Sequence, residues 1–392
     1  MNLETKVNSS RYKLFVISLE PNPYTIDLWN KSKSFKNIST SVVFIEKKDF
    51  LPDSGHDFRE LPIIKFKNKI FSGKNFLSKL FSLKYIFLNI FKTPHDIYFV
   101  NGYHKFQTAI GIIFLIIARK KFLFCVDKFN NGKINSKFSI FAYIYRYIFR
   151  LLIFKFSIGI MTCGEPGIKS VLKAGCLKEK VYNFPYVIDK SRLINDLPEN
   201  IPLDCKKDID NKKIILTFSG RMIPRKGLKN LIDSISKLDE DLFSKFAFWI
   251  EGDGPLLNFY KRYSDKNLKK VNYKFLGFCQ YKLHSWLIRN STIIVVPSLQ
   301  DNWGIVIDEA QQLGKLTISS DGVSSGLDRI KNGVNGFIYT STNCIQLSEI
   351  LKKTLIENTK LTYINKAAEK NPKTITPVDN ISLIDEIYNG LL

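Results

Sequence analysis

The stretch PSLQDNWGIVIDEAQQLGKLTISSDG, Pro297 to Gly322, decides the reading of the fold. It follows Thr292 to Val296 (TIIVV), a period-free β-branched run of the kind that forms a strand buried on both faces. Ser298 to Trp303 then reads as a loop and Gly304 to Leu313 as a helix, with Gly314 placed to cap it. Leu316 to Ser319 is the next strand. Strand, loop, helix and strand make one βαβ unit, and ligands of such units sit at the carboxyl ends of the strands. Asp301 falls in the loop and Glu309 about one and a half turns into the helix, so both carboxylates face one crevice. Taken alone, an acidic pair there is better explained by complementing the helix dipole.

A second stretch, FSGRMIPRKG from Phe218 to Gly227, lies about 75 residues earlier. It links a strand, KIILTF from Lys213, to a periodic helix, LKNLIDSISKL. A glycine turn feeding a helix collects an anion on backbone amides and the helix dipole. Arg221 adds a planar fork for phosphate oxygens and Lys226 a compact charge. In so basic a chain, a solvated surface turn is the alternative for these two residues alone.

Together the two stretches resemble the nucleotide-sugar-dependent retaining glycosyltransferases of family 4. Their Glu-x7-Glu motif appears here as Asp301-x7-Glu309, and their Gly-Arg-x4-Lys-Gly element as Gly220, Arg221, Lys226 and Gly227. The resemblance implies an α/β chain with two Rossmann-like domains facing a central cleft (GT-B). The expected boundaries are 1–190 for an acceptor domain, 191–377 for a donor domain, and 378–392 for a helix returning to the first. It implies that Arg221 and Lys226 neutralise the donor diphosphate, Glu309 accepts from ribose hydroxyls and Asp301 from sugar hydroxyls. Gly277 and Phe278 would contact the base through backbone atoms, and the amides of Asn302, Trp303, Gly304 and Ile305 the sugar or its phosphate. Neither cofactor nor metal is expected, because two cationic side chains already serve the diphosphate and no Asp-x-Asp falls at a strand's carboxyl end.

The chain has 392 residues, enough for two domains, and 45% of them are hydrophobic, an ordinary globular value. Its formal charge of +23 is uneven: residues 1–190 hold 31 Lys and Arg against 13 acids, the rest 28 against 23. A basic first half points to an anionic partner, or to a biased nucleotide composition. No helix-turn-helix, zinc-finger, RNP or KH signature favours nucleic acid. The helix GKNFLSKLFSLKYIFLNIFK, Gly73 to Lys92, sets a stripe of Phe76, Leu77, Leu80, Phe81, Tyr85, Leu88 and Phe91 among lysines. Such a stripe either packs on a sheet or lies in a membrane interface. The six scattered cysteines read as reduced thiols, and the opening MNLETKVNSSRYK has no apolar core for a signal peptide. Nothing reaches an uncharged membrane-spanning length, so a cytoplasmic protein is expected, soluble or peripheral on the membrane.

In the first half, KLFVIS (Lys13 to Ser18), SVVFIE (Ser41 to Glu46), DIYFV (Asp96 to Val100), KFLFCV (Lys121 to Val126) and FSIGIMT (Phe156 to Thr162) read as strands. Asp127 follows the fourth, where the family commonly has a histidine, and is the candidate to orient the acceptor hydroxyl or take its proton; His104 is the fallback. Pro21-Asn22-Pro23-Tyr24 replaces the family's Gly-Gly loop and reads as a turn whose Asn22, Tyr24 and Thr25 can also meet a sugar. Residues 190–212 read as a polar linker. The expected activity is sugar transfer to a glycan acceptor, lipid-linked, in polysaccharide or O-antigen synthesis. The alternatives are a nucleotide-sugar epimerase of the same fold and a basic nucleic-acid-binding protein.

Overall fold

β-branched and aromatic runs separated by helical segments build two parallel sheets. The computed structural model describes residues 11–47, 63–93, 95–129, 137–195, 197–357, 366–370 and 375–390. The opening residues 1–10, where no signal peptide is expected, lie outside the described residues. The chain divides into two compact units, the first from 1–48, 61–187 and 375–392, the second chiefly from 188–374.

In the first unit the strands are β1 (Tyr12–Ser18), β2 (Ile38–Phe44), β3 (Lys67–Ile70), β4 (Ile97–Asn101), β5 (Phe122–Cys125), β6 (Gly159–Thr162) and β7 (Val181–Asn183). They pair in the order β3-β2-β1-β4-β5-β6-β7, so the winding reverses between β1 and β4. Alternation along β1 builds both faces. Phe15 and Ile17 pack on α2 (Phe76–Phe91), α3 (Phe106–Ile117) and α4 (Lys137–Phe156). Leu14 and Val16 pack on α1 (Pro23–Lys31) and on the last helix, Pro377–Asn389, through Trp29, Ile381 and Ile384. That last helix starts with a capping box between Thr376 and Asp379 and Pro377 in its first turn, which fixes where it begins.

In the second unit, α6 (Lys190–Asn195), α7 (Leu203–Asp210), β8 (Ile214–Ser219), α8 (Leu228–Ile235), β9 (Phe246–Glu251), α9 (Leu257–Asn267), β10 (Tyr273–Gly277) and α10 (Tyr281–Asn290) come first. Then follow β11 (Ile293–Val296), α11 (Ile305–Gln312), β12 (Leu316–Ser320), α12 (Ser324–Arg329), β13 (Phe337–Tyr339) and α13 (Cys344–Ile356). The order β10-β9-β8-β11-β12-β13 reverses between β8 and β11, which places the switch point at the ends of the two strands that carry the two decisive stretches.

Two expectations are corrected and one open alternative is narrowed. Residues 190–212 are not an open linker: they hold α6 and α7, and α7 buries Cys205 beside Trp249 and Trp286. Its Asp208 accepts from Trp249 Nε1 at 2.9 Å, Asn272 Nδ2 at 2.8 Å and Lys274 Nζ at 2.5 Å, a buried cluster that a polar count cannot reveal. The apolar stripe of α2 does not face the sheet. Ser82, Ile86 and Ile90 are its buried residues, whereas Phe76, Leu77, Leu80, Phe81 and Phe91 are exposed. The strand expected from Phe156 starts only at Gly159, because α4 runs through Phe156. All six cysteines are free, four of them buried, and no helix among the described residues is long and apolar enough to cross a membrane.

Candidate active site

Glycines bring the loops at the carboxyl edge of the second sheet into backbone contact. Gly220 N donates to Glu251 O at 3.1 Å and Gly252 N to Gly277 O at 2.8 Å, tying the ends of β8, β9 and β10 together. A Cβ on Gly252, at φ +128°, would lie 1.9 Å from Gly220 O. On Gly227, at φ +70°, it would lie 1.9 Å from Pro297 O, which closes β8's loop onto β11's. Neither position admits a side chain or an ordinary L-residue backbone. Gly227, inside the second decisive stretch, and Gly252, outside both, therefore serve loop stacking, which in turn places the charges.

Lys226 Nζ lies 2.5 Å from Asp301 Oδ2, and Arg225 Nη1 is 3.9 Å from Asp301 Oδ1. The two stretches meet through this ion pair, whose lysine and aspartate side chains are 20% and 12% exposed. Arg221 is the next residue after Gly220; its Nε is shut off from solvent and has no hydrogen-bond acceptor among the described residues. Gly304, at φ +89°, turns the chain into α11. Among the described residues no backbone hydrogen bond uses the amides of Asn302, Trp303 or Gly304, so these donors stand open before the helix. The Trp303 side chain is not available to a ligand. It is buried, donates to Asp308 Oδ2 at 2.6 Å and stacks under the Arg329 guanidinium, which bonds Asp308 at 2.9 Å. That buried group fixes α11 against α12, and only the backbone of Trp303 remains for binding.

Glu309 is buried and does not stand alone. Its Oε2 lies 2.9 Å from His284 Nε2, and His284 Nδ1 lies 2.8 Å from Glu251 Oε2. Burial alone would lower the basicity of His284, but the two carboxylates outweigh it and hold its pKa well above the ordinary histidine range. Sequence reading missed Glu251 and His284. The available signal was positional: Glu251 ends a strand and His284 lies in the first turn after the next one, both at the edge where a site belongs. Gly277, at φ +67°, ends β10 at the same edge with open space where a Cβ would go, and Phe278 follows half-buried.

The first unit has its own pocket at its switch point, about 490 Å³ including the open mouth, which Ser18, Tyr24, Thr25, Asn101, Asp127 and Tyr186 help to line. Asp127 accepts from Tyr186 Oη at 3.0 Å, and its backbone carbonyl from Thr162 at 2.9 Å. Burial and then the Asp127 charge push the Tyr186 phenol far up, so it stays a proton donor. His104 is not among the pocket's lining; it is exposed at the start of α3, its ring 4.6 Å from that of Tyr103. Asn22 caps α1 by accepting from Thr25 N at 2.8 Å, with Pro23 opening the helix. That oxygen is committed to the fold rather than open for a sugar.

Residues 203–371 match the family model described as "Glycosyl transferases group 1". An uncharacterized glycosyltransferase of Methanocaldococcus jannaschii (MJ1178) is 30% identical over 153 residues, 36% of this chain and 41% of its own length. Another from that organism (MJ1069) is 24% identical over 299 residues, 74% of each chain. The chain thus spans about two fifths of the length of the first of these relatives. Among solved structures, Anabaena Alr3699/HepE in complex with UDP superposes with a TM-score of 0.70 at 16% identity, covering 97% of this chain and 100% of that one. WaaG, a glycosyltransferase involved in lipopolysaccharide biosynthesis, does so with 0.68 at 14%, covering 95% and 99%.

Proposed function

From a chain with the GT-B fold, whose second unit matches the group 1 glycosyltransferase family model, we propose a retaining glycosyltransferase of family 4. It moves a sugar from a nucleotide-sugar donor to a glycan acceptor. The observation that carries this reading is the meeting of cations and carboxylates at one sheet edge: Lys226 beside Asp301, with Arg221 in the same turn as Lys226, and with Glu309 and the open amides of Asn302 to Gly304.

In this reading Arg221 and Lys226 take up the diphosphate charge as it leaves, the electrostatic contribution that is usually largest. Glu309 accepts from the ribose hydroxyls, Asp301 from the sugar, and the backbone of Gly277 and Phe278 meets the base. The helix-start amides, Ile305 included, hold the sugar or its phosphate. The acceptor oxygen bonds to the anomeric carbon on the face that the leaving phosphate vacates. The carbon–phosphate oxygen bond breaks, and the hydroxyl proton passes to the departing phosphate. Asp127 is preferred to His104 for orienting the acceptor, because it lines a pocket and His104 does not. Transfer is metal-independent, with the two cations in the place of a divalent ion.

The acceptor is read as lipid-linked and the pathway as polysaccharide, lipopolysaccharide or O-antigen synthesis, on the inner face of the cytoplasmic membrane. The exposed Phe76, Leu77, Leu80 and Phe81 of α2, flanked by exposed Lys74, Lys79 and Lys84, support an anionic bilayer as partner. Loss of binding to anionic vesicles in a Leu80→Ser/Phe81→Ser variant tests that part; unchanged binding overturns it.

The activity is tested by thermal shift with nucleotides and nucleotide sugars, UDP-sugars first because one solved neighbour holds UDP. A ligand at a hundred times its Kd adds about 2.7 kcal/mol of stability. Product formation should be unchanged in EDTA. No shift with any nucleotide, or steeply salt-dependent binding of random oligonucleotides instead, overturns the reading; interconversion of the sugar without an acceptor replaces it with epimerisation.

A further inference from the structure

His284 bridges two elements that the donor reading needs held together. Its Nδ1 lies 2.9 and 2.8 Å from the two oxygens of Glu251, at the end of β9, and its Nε2 lies 2.9 Å from Glu309 Oε2, on α11. The three side chains are 12%, 6% and 4% exposed, so water does not substitute for any of these partners. A neutral imidazole carries one N–H. It would satisfy one carboxylate and turn a lone pair toward the other at under 3 Å. Only the doubly protonated ring donates to both.

The charged and titratable groups around it are few. Glu251 comes from β9, Glu309 from α11, and Tyr281 from its own helix, with ring centroids 6.0 Å apart. Arg192 of α6 lies over the Tyr281 ring at 3.8 Å, and burial and then the Glu251 charge keep the Cys279 thiol protonated. β8, read Ile214–Ser219, contributes no ionisable side chain. The cluster thus holds one imidazolium between two carboxylates. Glu251 is also the residue whose carbonyl takes the amide of Gly220, directly before Arg221. One ring therefore ties Glu309 to the strand end that supports the phosphate-binding turn.

We infer that His284 is a positioning residue for the nucleotide: as an imidazolium it engages one oxygen of Glu309, leaves the other to accept from the ribose diol, and cancels charge that would repel the neighbouring diphosphate. The inference rests on the donor-site reading above and extends it to a residue that need not touch the donor. It implies that nucleotide affinity depends on a proton the nucleotide does not carry. Below the raised pKa the bridge is intact, and affinity is flat with pH once the nucleotide's terminal phosphate is fully ionised, above about pH 7. As the pH rises through it, one hydrogen bond and the neutralising charge disappear together, and affinity falls.

The experiment uses the full chain, with UDP, GDP and ADP titrated from pH 6 to 9.5 against wild type and His284→Gln. Nitrogen-15 histidine spectra of the wild type are recorded without ligand. Both ring nitrogens of His284 should be protonated at pH 7.5. For the nucleoside diphosphate that binds, affinity should fall at alkaline pH in the wild type. In His284→Gln it should be about 10- to 100-fold weaker throughout, the loss of one hydrogen bond to a charged group, with the alkaline limb gone. Donor KM should rise with kcat little changed. A neutral tautomer at pH 7.5 overturns the inference without any variant having to fold. Unchanged affinity and pH profile in a folded His284→Gln overturns it too, while leaving the donor site standing. Failure of the wild type to bind any of the three, with His284 nonetheless doubly protonated, overturns the donor-site reading and the positioning role with it.

Discussion

Replacing Lys226 with Ala should weaken UDP binding through two effects that can be measured apart. Lys226 Nζ lies 2.5 Å from Asp301 Oδ2, so an arriving phosphate must share the ammonium with a carboxylate already on it. Removing the lysine deletes one hydrogen bond to a charged group, about 1.5–3 kcal/mol. It also exposes the phosphate to Asp301. At about 5 Å and an effective dielectric near 20, two unit charges repel by about 3 kcal/mol, and solvent at the phosphate's open side roughly halves that. The sum, about 3–4.5 kcal/mol, is a loss of about two to three decades in Kd. Adding Asp301→Asn removes the repulsion but not the missing bond, so Lys226→Ala/Asp301→Asn should recover about tenfold. UDP is the ligand of choice because it lacks the sugar that Asp301 is proposed to meet. Isothermal titration on the four members of this cycle measures the coupling directly. Unchanged UDP affinity in Lys226→Ala would remove the diphosphate from this edge. A double variant no tighter than Lys226→Ala would refute the sharing of the lysine.

Two further outcomes follow from the same geometry. Glu309→Gln keeps the shape but loses the carboxylate that His284 engages and that is proposed to meet the ribose hydroxyls, so transfer should fall by about 100-fold or more while the melting transition stays cooperative; a steady-state assay showing full activity would withdraw Glu309 from the site. Gly252→Ala places a Cβ 1.9 Å from Gly220 O at φ +128°. It should destabilise the second unit by about 3 kcal/mol or more, lowering Tm by several degrees in a thermal melt, and an unchanged Tm would show that the loops do not stack as described.

The strands and turns at the second unit's switch point, though not their order in the sheet, were legible because each strand there is a short β-branched or aromatic run followed by a glycine-containing turn and a periodic helix. Asp301, Lys226 and Arg221 were legible because they sit inside those turns. His284 was not: in sequence it is a lone histidine on a mixed helix, and only the pairing of β10 with β9 sets it beside Glu251. The α2 stripe left its neighbour undecided for a related reason. Its three- and four-residue spacing is real, but Ser82, Ile86 and Ile90 form a second, narrower row, and the sheet takes that one. Periodicity says that a helix has an apolar face, not which neighbour covers it. Residues 190–212 failed as a linker because composition counts Asp208 as polar surface, whereas Trp249, Asn272 and Lys274 make it a buried acceptor.

The charges at the second sheet edge are mostly spoken for before a ligand arrives: Lys226 by Asp301, and His284 by Glu251 and Glu309. Arg221 differs, since its Nε is buried without an acceptor among the described residues. An unmet buried donor costs about 1–3 kcal/mol in the free protein, and an anion that supplies the acceptor relieves that cost as well as adding a bond. Diphosphate affinity should therefore lean on the fork geometry of Arg221 and not on its charge alone. Arg221→Lys keeps the charge and deletes Nε, so UDP should bind at least about tenfold more weakly to it than to the wild type, by titration at fixed ionic strength. Equal affinity would mean that any cation at this turn suffices, and that the buried Nε plays no part in holding the ligand.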